Sequence, residues 1–455
     1  MIYQIEADDS CINALNVSKW LLEFSNRILP ERIRLEKYYD GENQIIKQGA
    51  VAGRPNYKIN VNMAKYITDV ATGYFIGKPV TYDALNENVK TILEKIEDIN
   101  KNCSDEEVDY QVAGDMSVFG VGYQLVMVKD GVEPLEQRIV FKRLDPKRVF
   151  YVTDNTLLRE PLCAVYYYTY KENRQVKNRA YVYDKENLYI FDGYGYALQL
   201  VSEEPHNMGD IPILQSLNND DAFGDYKAVD DLLDSLSLTL SNNTDDLQSI
   251  ANAILAASGG TLDEQAVKLI NKYRTANLPV GADMKWVIKD LNPEATRQHI
   301  DKLLDFIFQI SLVPDLTDAQ FAGNMSGVAM EFKMWGIDQL RTAKERKFKK
   351  TLYQRLKILL HLLQYRFKSN IELINDIKIT FYKNLPENMT QDYEIAKNLA
   401  GIVSLRTLLS NISIVENVEE ELKRIKQEKL EDVDPYGFNN NNNLSGGADY
   451  ADDEE

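Results

Sequence analysis

DYKAVDDLLDSLSLTLSNNTDDLQSIANAILAASGG, residues 225–260, decides how this chain is organised. Val229, Leu232, Leu233, Leu236, Leu240, Leu247, Ile250 and Ile254 recur at helical spacing. The stretch therefore predicts one amphipathic helix over 225–257, ended by Gly259-Gly260. Such a helix needs a second apolar surface to cover its stripe. Asn292-Pro293 supplies the start of one, a capping Asn followed by Pro at the first helical position. That second helix runs through Leu303, Leu304, Ile307 and Ile310 and stops near Pro314. Between the two lies a short unit, about Thr261 to Leu291. It is expected to hold one helix, a Pro279-Val280-Gly281 turn and a strand-like Lys285 to Ile288.

Upstream, residues 1–224 mix helix and strand. Met63, Ile67, Val70 and Tyr74 share one helix face, and Gly77 and Pro79 stop that helix. Ser104 with Glu107 has capping-box spacing and opens another. Tyr123–Val128 and Arg138–Lys142 flank Asp130-Gly131, a hairpin signal with a long loop. Leu162–Tyr170, Ala180–Tyr183 and Leu188–Phe191 are rich in Tyr and Val and predict an antiparallel meander. Downstream, PDLTDAQFAGNMS (314–326) is a polar loop. A long helix is expected from about Gly327 to Lys368, a strand within Ile371–Tyr382, and two or three helices within Gln391–Glu428. The last residues, 437–455, hold five consecutive Asn and a terminal Asp-Asp-Glu-Glu, and lack the apolar content to order themselves. The fold class is α+β.

Composition narrows the function. The 455 residues are 44% hydrophobic and 27% charged, an ordinary globular balance. The net charge of −18 disfavours a general-purpose nucleic-acid binder. No stretch is long and apolar enough to predict a membrane span, and the N-terminus has neither a basic nor an apolar leader region. Cys11, Cys103 and Cys163 lie far apart, which fits a reducing compartment better than a disulfide framework.

Motifs for catalysis are scarce. Gly73-Tyr-Phe-Ile-Gly77-Lys78-Pro79 looks like a phosphate loop, but it is one residue short between glycines. It also has Pro where Ser or Thr must meet magnesium, so it is better taken as a helix terminus. His206, His299 and His361 show no ligand spacing, and Asp220-Asp221 and Asp230-Asp231 fit solvated pairs better than a metal site. No catalytic residues, metal site or cofactor are expected.

Charge is distributed unevenly. Residues 225–264 contain eight acids (Asp225, Asp230, Asp231, Asp234, Asp245, Asp246, Asp263, Glu264) against one base, Lys227, a local charge of −7. Residues 331–368 contain eleven bases and three acids, a local charge of +8. Two solvated faces would account for this. So would segments that meet different neighbours, one lining a space shared with a polyanion and the other meeting an acidic surface.

Four elements in order carry a resemblance. They are Tyr38-Tyr39-Asp40-Gly41, Asn60-Val61-Asn62 leading into Thr72–Val80, Gly323-Asn324-Met325-Ser326-Gly327-Val328-Ala329, and Phe381-Tyr382-Lys383-Asn384-Leu385-Pro386. Over roughly residues 30–430 the chain resembles the portal proteins of long-tailed bacteriophages of Gram-positive hosts. The resemblance implies a wing (1–224), a first stem helix (225–257), a clip (258–292) and a second stem helix (293–313). A tunnel loop (314–326), a long helix with a returning wing strand (327–385), a helical crown (386–436) and the acidic tail follow. It implies a homo-oligomeric ring, twelve-membered in the virion, at the capsid portal vertex. Double-stranded DNA passes through it. The further partners implied are the terminase large subunit (the packaging ATPase, docked on the clip), the major capsid and scaffolding proteins, and a head-tail adaptor. Assembly is expected in the host cytoplasm.

On that reading Asp230, Asp231, Asp234, Asp245 and Asp246 line the stem lumen. Asp315, Asp318, Gln320, Phe321, Asn324 and Ser326 belong to the loop nearest the DNA. Duplex DNA carries one charge per ~1.7 Å of axis, and a 30-residue helix is ~45 Å long. A basic lumen of that length would hold DNA by counterion release, whereas an acidic one lets it slide. A packaging ATPase or nuclease would need a genuine phosphate loop or an acidic metal cluster. A structural adaptor without DNA passage remains the alternative.

Overall fold

The computed structural model describes residues 4–7, 11–43, 56–129, 131, 138–251, 254–258, 281, 283–287, 292–317, 327–367, 371–384, 397–409, 412, 415 and 418–431. It falls into two units, Met1–Asn384 and Leu385–Glu455.

The first unit opens with strand β1 (Gln4–Glu6) and helices α1 (Ala14–Glu23) and α2 (Leu29–Tyr39), which are joined by a π-helical turn, Phe24–Ile28. Helix α3 (Met63–Ile76), strand β2 (Thr81–Ala84), and helices α4 (Glu87–Cys103) and α5 (Asp105–Phe119) follow. Eight strands come next: β3 (Val121–Val128), β4 (Ile139–Leu144), β5 (Val149–Thr153), β6 (Pro161–Glu172), β7 (Gln175–Tyr183), β8 (Asn187–Tyr194), β9 (Ala197–Pro205) and β10 (Ile213–Leu217). Helix α6 (Asp230–Ala251), strands β11 (Ile254–Ser258) and β12 (Asp283–Val287), helix α7 (Pro293–Ser311), the 41-residue α8 (Gly327–Phe367) and strand β13 (Ile377–Thr380) complete the unit. The second unit contains α9 (Leu405–Leu409) and α10 (Val418–Glu431) among its described residues.

The meander is longer than its sequence signal. β1, β5, β6, β7, β8 and β9 form one six-stranded sheet in that order, antiparallel except for β1, which runs parallel to β5. Asn173 and Arg174 both take positive φ (48° and 66°) between the paired Glu172 and Gln175, the twist a two-residue hairpin requires. One sheet face buries Phe150, Val152, Val165, Val182 and Phe191 under Trp20, Leu21 and Phe24 of the first helices. Tyr166, Tyr168, Tyr170 and Tyr181 form an aromatic ladder, with neighbouring ring centroids 6.0–6.4 Å apart.

Strands β10, β3 and β4 form a second antiparallel sheet, packed on α5 and on the later half of α8. β13 returns to pair antiparallel with β2, joining residues almost 300 positions apart.

Two local expectations differ from the structure. The helix predicted over 225–257 spans Asp230–Ala251, preceded by a 3₁₀ turn at Lys227–Val229. Ile254, taken from spacing as helical, starts β11, which pairs antiparallel with β12. Apolar spacing alone cannot separate the end of a helix from a short buried strand. Ser104 marks the start of α5, but its side chain makes no cap. The residue sits at φ 52°, ψ 51°, turning the chain sharply out of α4.

The Gly73–Pro79 segment is a helix C-terminus. Gly77 N–H donates to Gly73 O at 3.0 Å and caps α3. At Asn292 the expectation holds, since its side chain accepts from Ala295 N–H and Pro293 opens α7. Most of the unit between α6 and α7, residues 259–280, lies outside the described residues, as does the tail 437–455.

Candidate functional site

Helices α6 and α7 pack against each other, one leaving the body of the protein and the other returning to it. Leu233, Leu236, Leu303 and Ile307 are buried in a core shared with α2, α3 and β3. At 22 residues α6 is ~33 Å long.

The base of this helix pair is set by a buried ion pair. Lys344 Nζ of α8 lies 2.5 Å from Asp225 Oδ2 and 2.5 Å from Ser117 Oγ of α5. Asn218 donates to the other carboxylate oxygen at 2.8 Å. Burial pushes the Lys344 ammonium below its usual pKa, and Asp225 opposes that shift. Gly120 (φ 77°) lets the chain pass here, because a Cβ at that position would fall 1.9 Å from Ala222 O.

Farther along, residues 56–62 run beside α6. Tyr57 N–H donates to Asp245 at 2.7 Å, and Ile59 N–H to Ser241 Oγ at 2.9 Å. Ser237 Oγ donates to Asn60 Oδ1 at 3.2 Å. Asn60 and Asn62 in turn donate to the carbonyls of Gly41 and Tyr39, the latter at 2.8 Å. Two of the four sequence elements, Tyr38–Gly41 and Asn60–Asn62, are thus one structure, a fastening of the stretch after α2 to the side of α6.

This arrangement sorts the five acids assigned to a lumen. Asp230 accepts from Arg34 (3.0 Å) and Lys227 (2.8 Å), and Asp234 from Tyr38 OH (2.7 Å). Burial raises the Asp234 carboxyl above its usual pKa despite that hydrogen bond. Asp245 holds Tyr57 N–H. Asp246 is half-buried, and Asp231 is exposed. Asp230, Asp234 and Asp245 therefore hold partners within their own subunit. Sequence reasoning missed Arg34, Tyr38 and Tyr57 as partners because they lie 188–196 residues away.

Tyr66 fixes the entry to segment 314–326. Its hydroxyl donates to Pro314 O and accepts from Leu316 N–H, both at 2.9 Å. Leu312 (φ 60°) ends α7, and Asp315 accepts from Thr317 N–H (2.9 Å) and Oγ1 (2.6 Å). Asp318, Gln320, Phe321, Asn324 and Ser326 lie outside the described residues.

The basic helix α8 meets acids of its own chain. Arg355 makes a two-pronged contact with Asp109 (2.7 and 2.9 Å), holds Tyr82 OH at 2.7 Å and lies over the Phe141 ring. Burial raises Asp109 to about 6, with Arg355 opposing. Lys347 and Lys357 pair with Asp220 and Asp210. Asp338 gathers Arg341, Lys383 and Tyr74, the last at 3.4 Å. Among the described residues no group of three or more His, Cys, Asp or Glu side chains could hold a metal, and no helix is long and apolar enough to cross a membrane.

Comparison with known proteins identifies this framework. Residues 18–434 match the family described as "Phage portal protein, SPP1 Gp6-like". The portal protein of Clostridium phage phiCD119 is 22% identical over 429 residues, 88% of this chain and 92% of that relative. The portal protein of Bacillus phage SPP1 is 24% identical over 425 residues, 86% of this chain and 79% of that relative. A solved chain from the neck of an empty GTA particle, computed with C6 symmetry, covers 83% of this chain and 92% of its own length. Its 12% identity and TM-score of 0.49 are too slight to argue from. The chain belongs to the phage portal protein family. Its role is that of a channel subunit in an oligomeric ring at the capsid vertex of the virion, which sets aside the adaptor alternative. The family is a structural one.

Proposed function

We propose that twelve copies close head to tail around double-stranded DNA, with α6 and α7 as the channel wall and segment 314–326 reaching toward the duplex. The packaging ATPase, a terminase large subunit, docks on the unit between α6 and α7. A head-tail adaptor replaces it once packaging ends. The major capsid and scaffolding proteins meet the outer parts of the ring, and assembly takes place in the host cytoplasm. The chain itself catalyses nothing.

The observation that carries this reading is the helix pair itself, one helix out and one back, with the two-stranded β11–β12 pair at its far end. No lysine or arginine occurs between Asp230 and Ala251. Its exposed side carries Asp231, Ser235 and Asn242. The α6 face of such a wall spans ~19 phosphates and offers them no cation of its own, while the exposed Arg297 and Lys302 of α7 pair with Glu294 and Asp305. Of the five acids first considered for the lumen, Asp231 is the one the proposal relies on. Asp230, Asp234 and Asp245 serve instead to hold α6 to the rest of its subunit.

Electron microscopy of the purified chain tests the proposal. A closed ring with a through-channel is expected, and DNA-filled heads should become rarer with Asp231→Lys but stay near normal with Asp231→Asn. A filled or open assembly, or nucleotide hydrolysis abolished by point substitution of this chain, would contradict it.

A further inference from the structure

Between α2, α3 and α5 lies a cleft of about 370 Å³. Glu36, Asp40, Asp69, Glu107 and Asp115 line it, with Arg143 as the one cation among the described lining residues. Arg143 is already committed to Asp115 through two hydrogen bonds of 2.7 and 2.6 Å. Lys147 and Lys65 reach Glu36 and Asp69 from outside the cleft. Asp40 and Glu107 have no cation among the described residues. Thr68, also on the lining, is only 2% exposed, and its hydroxyl has no hydrogen-bond partner. A buried hydroxyl without a partner costs free energy. Beside Asp40 and Glu107, which lack a cation although Glu107 accepts from Gln111 Nε2 at 2.6 Å, it completes a site for a hydrogen-bonding cation.

The cation is present elsewhere on the same chain. Phe332, Trp335, Gln339, Ala343, Arg346 and Lys350 form one exposed stripe along α8. Arg341, Lys344, Lys347, Arg355 and Lys357 of α8 are paired within the chain, whereas Arg346, Lys349 and Lys350 have no acidic partner among the described residues, and of these Arg346 and Lys350, one helical turn apart, are the exposed ones. A ring closed head to tail joins two different patches of identical subunits. An acidic cleft and an unpaired basic stripe are complementary patches of that kind, and charge complementarity of this sort fixes register.

We infer that Arg346 and Lys350 of one subunit enter the acidic cleft of the next copy, donating to Asp40, Glu107 and the Thr68 hydroxyl. The inference rests on the ring reading and names the contact that sets its register.

Gly114 gives a direct test, because it lines the cleft and a Cβ added there meets nothing within 4 Å. Gly114→Leu should obstruct the cleft without straining the subunit, and Leu is the better helix former. The measurements are sedimentation velocity and electron microscopy of the full chain, with thermal melting as the check on folding. Gly114→Leu and the pair Arg346→Glu/Lys350→Glu are each expected to lower the ring fraction at least tenfold at an unchanged melting temperature. Combining Arg346→Glu/Lys350→Glu with Asp40→Lys/Glu107→Lys is expected to recover rings. Wild-type rings together with full assembly of Gly114→Leu and of the Arg346/Lys350 variant overturn the inference and leave the ring reading standing. So does loss of rings that the combined variant fails to recover although it melts normally. A wild-type chain that sediments only as a monomer overturns the ring reading, and the inference with it.

Discussion

Lys344 Nζ lies 2.5 Å from Asp225 Oδ2, and the two side chains are 1% and 0% exposed. They are 119 residues apart, and together they join the long helix α8 to the base of the helix pair. An isolated charge at this depth is far costlier than the pair. Lys344→Met should therefore destabilise the subunit by ~3–5 kcal/mol, and Lys344→Met with Asp225→Asn by clearly less. Denaturant titration of the two variants measures the difference. Equal losses would show that the pair is not coupled.

Tyr66 should matter for the order of the segment after Pro314 more than for global stability. Tyr66→Phe removes the donor to Pro314 O and the acceptor for Leu316 N–H, at ~1–2 kcal/mol in all. Amide exchange at Leu316 and Thr317 should speed up while exchange in α3 stays unchanged. Unaltered exchange at Leu316 would mean that the hydroxyl does not hold the loop entry.

Phe332 and Trp335 are 78% and 65% exposed on the subunit, on the same stripe as Arg346. In a closed ring an aromatic pair of this kind is expected to be covered. Trp335 emission should shift to the blue on assembly. Measured in a Trp286→Phe background, the shift should vanish in Trp335→Phe, since Trp20 is already buried. Phe332→Ser should raise the concentration needed for rings several-fold. Rings whose Trp335 emission matches that of the monomer would place this face outside the interface.

His206 predicts an acid-sensitive contribution. Its Nδ1 accepts from Met208 N–H at 3.1 Å and its Nε2 lies 3.0 Å from Asp184 O, an arrangement that suits the neutral ring. Burial holds its pKa below the usual 6.5, with Asp184 opposing. The unfolded chain then takes up the proton first, so this contribution is complete above pH 6.5 and is lost as pH falls below it. Asp109 and Asp115, each raised by burial to about 6, act in the opposite sense between roughly pH 4 and 6. Melting temperatures at pH 7.5 and 5.5 for wild type and His206→Asn isolate the histidine. The variant should lose less on acidification, and an equal loss would contradict the assignment.

Elements whose cause is local were legible in the amino-acid sequence. Met63–Ile76 has its apolar face and its glycine stop, α7 has Asn292-Pro293, and the Tyr/Val-rich strands have their alternation. The Tyr38–Gly41 and Asn60–Asn62 elements were legible as a resemblance, but not as one hydrogen-bonded fastening. Partnership over long separations was decided only in three dimensions. The two ends of β1 and β5 meet across almost 150 residues, and Asp234 finds Tyr38 across 196. Charge counting treated Asp230, Asp231, Asp234, Asp245 and Asp246 alike because a sequence records how many charges a helix carries and not which of them find partners. Whether a carboxylate meets solvent or a guanidinium depends on how α2, residues 56–62 and α6 pack. That packing is set by apolar burial summed over the whole core, and no local run of residues specifies it.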